Sequence, residues 1–320
     1  MIIRGPSFGS RRVRSTVTVA LAATLIAVGS CAPEQAPSPR IIVSGASGQL
    51  GGLVVEELLD RGVPASDLIL VSRTPEELAR YAAMGASTRF GDFTQPESLA
   101  TAYEGGTRLL LISLNTRGNP NPLVTSERPT LQRTAIEAAV AAGVEHIVYT
   151  SFVDADANTS PIAVDHRITE ADLRESGVAW TSLRNQWYAD RIVSEAAAMI
   201  ADGRVLVRPD DPGAAYVTRE DCAAAAAAAL TTPGHGNRVY EVTGPALIRA
   251  RDIAIIASEL SGVDIEVIEA TPEQAAGLPE PAPSGTTLST HFRELTGRDG
   301  TTARQLLEAN RATLLAARDG

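Results

Sequence analysis

Lysine does not occur in this chain of 320 residues: every one of its 28 lysine-plus-arginine positions is an arginine. The absence excludes each chemistry that needs a lysine amine, among them Schiff-base catalysis, a Walker-type phosphate lysine and the tyrosine–lysine acid pair of ordinary short-chain dehydrogenases. Cysteine is almost as scarce, with only Cys31 and Cys222. If Cys31 is consumed in processing, one thiol remains, which leaves no intrachain disulfide framework and no thiolate-rich zinc site. No histidine spacing points to a metal either. A basic surplus is also lacking: the net charge is −10, which argues against a nucleic-acid binder. What is present is ordinary for a soluble globule, with 44% hydrophobic residues and a mean hydropathy of +0.01. The length suffices for one large α/β domain, or for a dinucleotide domain with a smaller partner domain.

The N-terminus carries an export message. Arg11, Arg12 and Arg14 form a basic start, and residues 17–28 follow as twelve uncharged residues. Such a run is short for a bilayer span but suits the apolar segment of a signal peptide. Gly29 and Ser30 lead into Cys31, which resembles the lipobox of bacterial lipoproteins, where the precursor is cleaved and the cysteine lipidated. Residues 1–31 are therefore read as a lipoprotein-like signal peptide and 32–39 as a Pro-rich linker. The implied location is the cell membrane, lipid-anchored on its extracytoplasmic side and in touch with a membrane surface. The alternative is a mis-assigned start, with a cytoplasmic protein beginning near Arg40. Ser10, Arg11 and Arg12 also weakly resemble a twin-arginine signal, a route that exports proteins with cofactor already bound.

The next stretch, RIIVSGASGQLGGLVVEELLDRG (40–62), reads as a β-branched strand, a glycine turn and a helix with Val54, Val55, Leu58 and Leu59 on its apolar face. Gly45, Gly48 and Gly51 have the spacing of a dinucleotide fingerprint: a tight turn, a close approach to the pyrophosphate, and a helix lying near the strand. Ser47, Gln49 and Leu50 fill the turn and open the helix, whose free N–H groups favour an anion. The second strand ends at Ser72 and Arg73, where an NAD-preferring fold would place an acid. Arginine here pairs with a 2′-phosphate, so NADP(H) is expected over NAD(H). In TPEE, Thr74 is expected as a helix cap, with Pro75 in the first position and Glu77 closing a capping box.

Further βα units follow. Asp92 and Phe93 end a third strand, where an adenine would lie. Residues 107–113 form a continuous apolar strand leading to Ser113, and a Pro/Asn-rich loop (115–122) precedes a helix at about 130–142. Residues 145–151 give a fifth strand ending at Ser151. The alternation specifies an α/β fold: a Rossmann-type doubly wound parallel sheet over 40–186, with a smaller, mostly helical substrate-capping domain over 187–320, some of whose strands return to the main sheet.

GASGQLGG, VSRTPEEL, GDFTQPESL, LLLIS, HIVYTS, DHRITEADLRESGVAWTSLRNQWY and NRVYEVTG together resemble the NmrA-like atypical short-chain dehydrogenase/reductase family, and within it the NAD(P)H-dependent quinone oxidoreductase and triphenylmethane reductase type. The resemblance covers about residue 40 to residue 260; the first 39 residues lie outside it and the last sixty match poorly. It implies an NADP(H)-binding domain and a C-terminal domain that forms one wall of a cleft. Enzymes of the family pass hydride to quinones or related acceptors, whereas its regulatory branch binds dinucleotide without turnover. It also implies a histidine facing the nicotinamide, here His166.

Hydride transfer asks the protein to align two rings and to stabilise negative charge on the acceptor oxygen. The catalytic candidates are His166 on a helix, Asn185 at the end of the sixth strand, and Tyr188, which with Trp187 can stack on a flat acceptor. His166 as proton donor stands beside His166 as a brace between helix and sheet. Glu170, four residues on, either orients His166 or solvates that face. Tyr149 reads as sheet core and Cys222 as a small buried filler. The alanine run at 223–229 reads as a helix capped by Thr218, and residues 271–290 hold too many Pro and Gly for regular structure. The expected function is an NADP(H)-dependent oxidoreductase acting on a small, quinone-like acceptor. A catalytically silent dinucleotide sensor and a degenerate extracytoplasmic binding protein are the rival readings.

Overall fold

Ile41, Ile42 and Val43 are stiff at χ1 and favour extended chain; they form β1 (Ile41–Ser44), buried on both faces. The chain continues through α1 (Gln49–Asp60), β2 (Leu68–Ser72), α2 (Ala79–Ala83), β3 (Ser87–Phe90), α3 (Pro96–Tyr103), β4 (Arg108–Leu111), α4 (Glu127–Ala141) and β5 (His146–Phe152). Then come α5 (Pro161–Glu175), β6 (Ala179–Asn185), α6 (Asp190–Asp202), β7 (Arg204–Val207), α7 (Arg219–Thr231), β8 (Arg238–Val242), α8 (Ala250–Ser261) and β9 (Glu266–Glu269). Four short helices close it: α9 (Pro272–Ala275), α10 (His291–Thr296), α11 (Ala303–Ala309) and α12 (Arg311–Asp319). This computed structural model describes residues 1–5, 7, 9, 39–114, 127–278 and 283–319. The chain divides into two units, Met1–Pro37 and Ser38–Gly320. The expected apolar signal run at 17–28, Cys31, all of the linker but its last residue, and the loop at 115–122 lie outside the described residues. Among the described residues no helix is long and apolar enough to cross a membrane.

Seven parallel strands make one sheet in the order β3-β2-β1-β4-β5-β6-β8, as expected of a doubly wound fold. The order reverses between β1 and β4, and that switch point opens a crevice at the strands' C-terminal ends. Side chains alternate between the faces: Ile41, Val43, Leu68 and Leu70 join the core against α1 and α7, while Ile42, Ile69 and Val71 join the core against α3, α4 and α5. The alanine run forms α7, with Ala223 to Ala229 all buried and the Thr218 hydroxyl accepting from the Asp221 amide at 3.1 Å. Its small side chains let it lie against α1, a contact that bulkier residues would push apart. Burial raises the Cys222 thiol well above its ordinary pKa, so it is a filler there and not a nucleophile. Beyond residue 187, α7 and β8 belong to the main layers, whereas α6, α8, α11 and α12 bury a core of their own.

Several local expectations change. Thr74 caps nothing with its side chain, and Pro75–Leu78 is a 3-10 turn, because the Thr74 hydroxyl is drawn back to Ser72 at 3.3 Å. Helix α4 starts at Glu127, a turn earlier than its apolar pattern shows. Part of 271–290 is regular after all: α9 carries a capping box between Thr271 and Gln274, and Pro283–Thr286 is a 3-10 turn.

Glu170 neither orients His166 nor meets solvent. It is fully buried in α5, where Oε1 accepts from Ser151 (2.7 Å), Ser182 (2.6 Å) and Arg184 Nε (2.9 Å), and Oε2 accepts from Arg184 Nη2 at 2.7 Å and Arg174 at 3.0 Å. Arg184 also reaches Asp156 at 2.9 Å and Glu241 of β8 at 3.1 Å. Burial alone would raise the Glu170 carboxyl; hydrogen bonds from Arg184, Ser182 and Ser151, with the Arg184 charge, outweigh it and hold the pKa at about 2 against an ordinary 4.5. A depressed folded pKa means stability that is present above pH 4.5 and is lost as pH falls toward 2. Glu170→Gln is therefore expected to lower stability at neutral pH by about 3 kcal/mol, since it removes the fully buried, bidentate carboxylate from Arg184 and leaves only Asp156 and Glu241 on its other side. Its stability should also vary less with pH between 4.5 and 2 than that of the unaltered chain. Urea midpoints across that range test both statements; an unchanged midpoint at pH 7 would remove the structural role assigned to the pair.

Candidate functional site

The crevice at the switch point is a cleft of about 870 Å³. Its floor is the turn after β1. Gly45 has φ +90°, a conformation L side chains rarely adopt, and its amide donates to the Val71 carbonyl at 2.9 Å. A Cβ on Gly51 would lie 2.1 Å from the Gly45 carbonyl oxygen, so only glycine lets α1 sit this close to the strand. Gly48 is the N-cap of α1 and provides no side-chain cap, and the first turn holds no acid. The opening N–H groups of α1 thus lack both an intrahelical and a side-chain acceptor, which makes an anion site. Gly45, Ser47 and Gly48 line the cleft. Gln49 is exposed outside the lining, and Leu50 turns into the core.

Ser72 and Arg73 line the end of the cleft beside β2, with Thr74 and Glu77. The Ser47 and Ser72 hydroxyls are 2.7 Å apart, and the Thr74 amide donates to Ser72 Oγ at 2.9 Å. That mesh fixes the backbone on either side of Arg73, whose side chain is exposed at the rim. Asp92 and Phe93 line the same end. Asp92 Oδ1 accepts from the Thr94 amide and hydroxyl, both at 2.9 Å, which shapes the turn and keeps Phe93 against the wall.

At the other end lie Ile112, Ser113 and Leu114 after β4, and Glu127, Arg128 and Leu131 of α4. Thr150 braces this wall, accepting from the Ser113 amide at 2.8 Å and donating to Ser113 Oγ at 3.2 Å. Ser151 does not belong to it. Adjacent strand residues point to opposite faces, so Ser151 turns toward α5 and is taken by Glu170. Sequence reasoning missed Thr150 and Arg128. The signal for the latter was Ser-Glu-Arg-Pro, an acid and a proline marking a helix's first turn.

His166 is only 4% exposed and does not line the cleft. Burial, then the Arg128 charge, lower its pKa to about 3, so the ring is neutral. Its tautomer follows from its partners. Arg128 Nη1, 3.3 Å from Nε2, has only hydrogens to give. Nε2 therefore accepts, and Nδ1 carries the proton, donating to Tyr149 Oη at 2.8 Å. Tyr149 is itself hydrogen-bonded to Thr169, whose hydroxyl donates to the Asp165 carbonyl at 3.2 Å. The His166 ring proton is thus committed to Tyr149, which does not line the cleft. His166 is a brace for Arg128 and not a donor to a substrate. Asp165 lies 4.0 Å from Arg128, and burial raises its carboxyl to about 6.

Asn185 ends β6 as expected, buried, and Tyr188 carries the Arg219 guanidinium 4.3 Å over its ring. Burial and the neighbouring Cys222 raise the Tyr188 phenol, and its hydrogen bond is with Asn185. Neither lines the dinucleotide cleft. Trp187 packs edge-on against Phe152 with ring centroids 4.9 Å apart and borders a second cleft, of about 450 Å³, with Tyr216 and Leu206. The structure thus gathers the expected cofactor residues in the cleft wall, apart from Gln49, Leu50, Gly51 (which packs α1 against the turn) and Ser151, and leaves the three catalytic candidates outside that wall.

A sequence profile described as NAD(P)H-binding matches residues 45–233. Quinone oxidoreductase 2 of Escherichia coli is 36% identical over 225 residues, spanning 70% of this chain and 76% of that protein. The solved structure of the NADPH-dependent quinone oxidoreductase of Escherichia coli with NADPH superposes at a TM-score of 0.74 with 31% identity, covering 84% of this chain and 99% of that one. The Citrobacter sp. triphenylmethane reductase with NADP(H) gives 0.72 and 32%, with the same coverage.

A neutral His166 has a testable consequence. Its depressed pKa contributes stability above pH 6.5 that is lost as pH falls toward 3. Its ring Cε1–H resonance is expected to stay flat from pH 8 to pH 5. A titration midpoint near 6.5 in that resonance would show an ordinary, solvated histidine and undo the tautomer assignment.

Proposed function

The chain belongs to the NAD(P)H-binding family, and from that premise we propose that it passes hydride from NADPH to a quinone-like acceptor. It is an NAD(P)H-dependent oxidoreductase, and NADP(H) is its dinucleotide. The observation that carries this is the cleft itself: an uncapped helix N-terminus over a glycine turn, with Arg73 at one rim. Gly45, Ser47 and Gly48 hold the pyrophosphate, Arg73 the 2′-phosphate, and Asp92 with Phe93 the adenosine. Bound there, the dinucleotide supplies the hydride.

The acceptor follows from what the site lacks. There is no lysine, His166 gives its proton inward, and the buried Tyr149 and Tyr188 phenols are raised. An alkoxide product needs an acid; a hydroquinone anion is a much weaker base, and water can protonate it. A quinone suits such a site better than a ketone. The quinone oxidoreductase name of the Escherichia coli relative supports the same choice.

The N-terminal order of basic, apolar, Gly-Ser-Cys and Pro-rich segments further supports a lipid anchor at Cys31. A lipophilic quinone would be met at such a surface. Palmitate labelling of the full-length chain in a bacterial host is expected to mark the unaltered protein and not Cys31→Ser; equal label in both would dismiss the anchor.

NADPH fluorescence with the purified chain tests the reaction. Protein should enhance the emission, and quinones should then abolish it. Binding without loss across a quinone panel would replace the reductase by a dinucleotide sensor. Arg73→Ala is expected to weaken NADPH at least about tenfold more than NADH, the scale of one charge-assisted contact. Equal weakening would assign the phosphate elsewhere.

A further inference from the structure

Among the described residues two arginines line the cleft, Arg73 and Arg128. They stand on opposite sides of the glycine turn. Arg73 follows β2, whereas Arg128 shares its wall with Ser113 and Leu114, which follow β4, and β1 lies between those strands. With neighbouring strands about 4.8 Å apart, the two ends are about 10 Å from each other. A dinucleotide whose pyrophosphate lies over the start of α1 extends one nucleoside to each side of β1. Arg73 faces the side of the phosphorylated ribose, and Arg128 is left on the side of the reacting ring.

Arg128 is built to hold one position. It is 7% exposed, it donates to a histidine that has a single tautomer, and that histidine is anchored through Tyr149 to β5. A guanidinium stays charged at any pH where the protein is folded, and in a partly dry cleft its charge acts more strongly than in water. A surface arginine would spend none of this structure on being held.

We propose that Arg128 holds the negative charge that arises on the hydride acceptor, with His166 as its positioning residue; this rests on the reading of the chain as a quinone reductase. The quinone takes up one hydride, that is one hydrogen nucleus and two electrons. The C4–H bond of the dihydronicotinamide would break, leaving NADP⁺; an O–H bond forms at one quinone oxygen, both carbonyl π bonds give way to the aromatic ring, and the other oxygen becomes the oxyanion of the hydroquinone. Arg128 donates hydrogen bonds to that oxygen and gives up no proton. A water then protonates the oxyanion, leaving hydroquinone and hydroxide.

The chemistry supplies its own control. A cationic triphenylmethane dye also accepts hydride, but its product is neutral and no oxyanion forms. Quinone and dye reduction are therefore compared in the full-length chain, in Arg128→Gln and in Arg128→Lys. The ratio of quinone to dye turnover is expected to fall about 100-fold in Arg128→Gln, the scale of one lost oxyanion donor, and to stay near the original in Arg128→Lys, which keeps the charge. Both rates falling together, or NADPH binding weakening as much as quinone turnover, would overturn the assignment. An unaltered chain that reduces no quinone would instead fail the reductase reading, and the proposal with it.

A binding measurement removes the dependence on turnover and on the variants' folding. 4-Nitrophenol titrated into the unaltered chain with NADP⁺ should ionise about one pH unit lower when bound than in solution, as expected beside a fixed cation. An unshifted or raised ionisation would show that the cleft does not stabilise a phenolate, and the proposal would fall.

Discussion

Glu170 reaches from the middle of α5 to Arg184 on β6 with two contacts, of 2.9 and 2.7 Å, and neither side chain meets water. Two charges removed from solvent gain little net energy against a well-packed apolar pair. What they gain is position, because the bidentate geometry permits one register of helix against sheet. Ser151 of β5 and Ser182 of β6 add contacts to the same carboxylate, and Glu241 of β8 holds the far side of the guanidinium. Three strands and one helix are thereby locked together. His166 lies one helical turn before Glu170 on the same face, so that lock also brings its ring to Tyr149. Arg128 is then fixed by His166. A contact on β6 thus determines where a charge stands in the wall of the cleft beside β4.

The architecture was legible because it is written in local, strongly patterned segments. Continuous apolar runs gave buried parallel strands, and glycines at 45, 48 and 51 gave the turn, in which position 45 needs a positive φ and position 51 has no room for a Cβ. Arg73 at a strand end was equally readable, since the rule concerns one position and one charge. Less was legible where the partner is distant in sequence. Glu170 sits on a helix face with His166, and spacing alone pairs them; the real partner, Arg184, arrives from another strand. Ser151 and Thr150 differ by one residue, and strand parity, which depends on the register with neighbouring strands, decides that Thr150 braces the cleft. β7 and β9 are short and partly exposed, so they lack the apolar run that marked the other strands.

A cleft without lysine carries its positive charge in a form that does not titrate. The cationic groups are the guanidiniums of Arg73 and Arg128, His166 is neutral, and the phenols of Tyr149 and Tyr188 are pushed up by burial. None of these groups can deliver a proton near neutral pH. Such a wall can bind anions and hold developing charge, and it must leave protonation to water. That division matches acceptors whose reduced form is stable as an anion, and it disfavours those that demand an acid in the same step. Asp165 is the exception, a carboxyl raised to about 6 at 4.0 Å from Arg128. Its ionisation sets how strongly Arg128 is countered from behind. The field at the reacting end of the cleft is then tuned from within α5, the same helix that the Arg184–Glu170 pair holds in place.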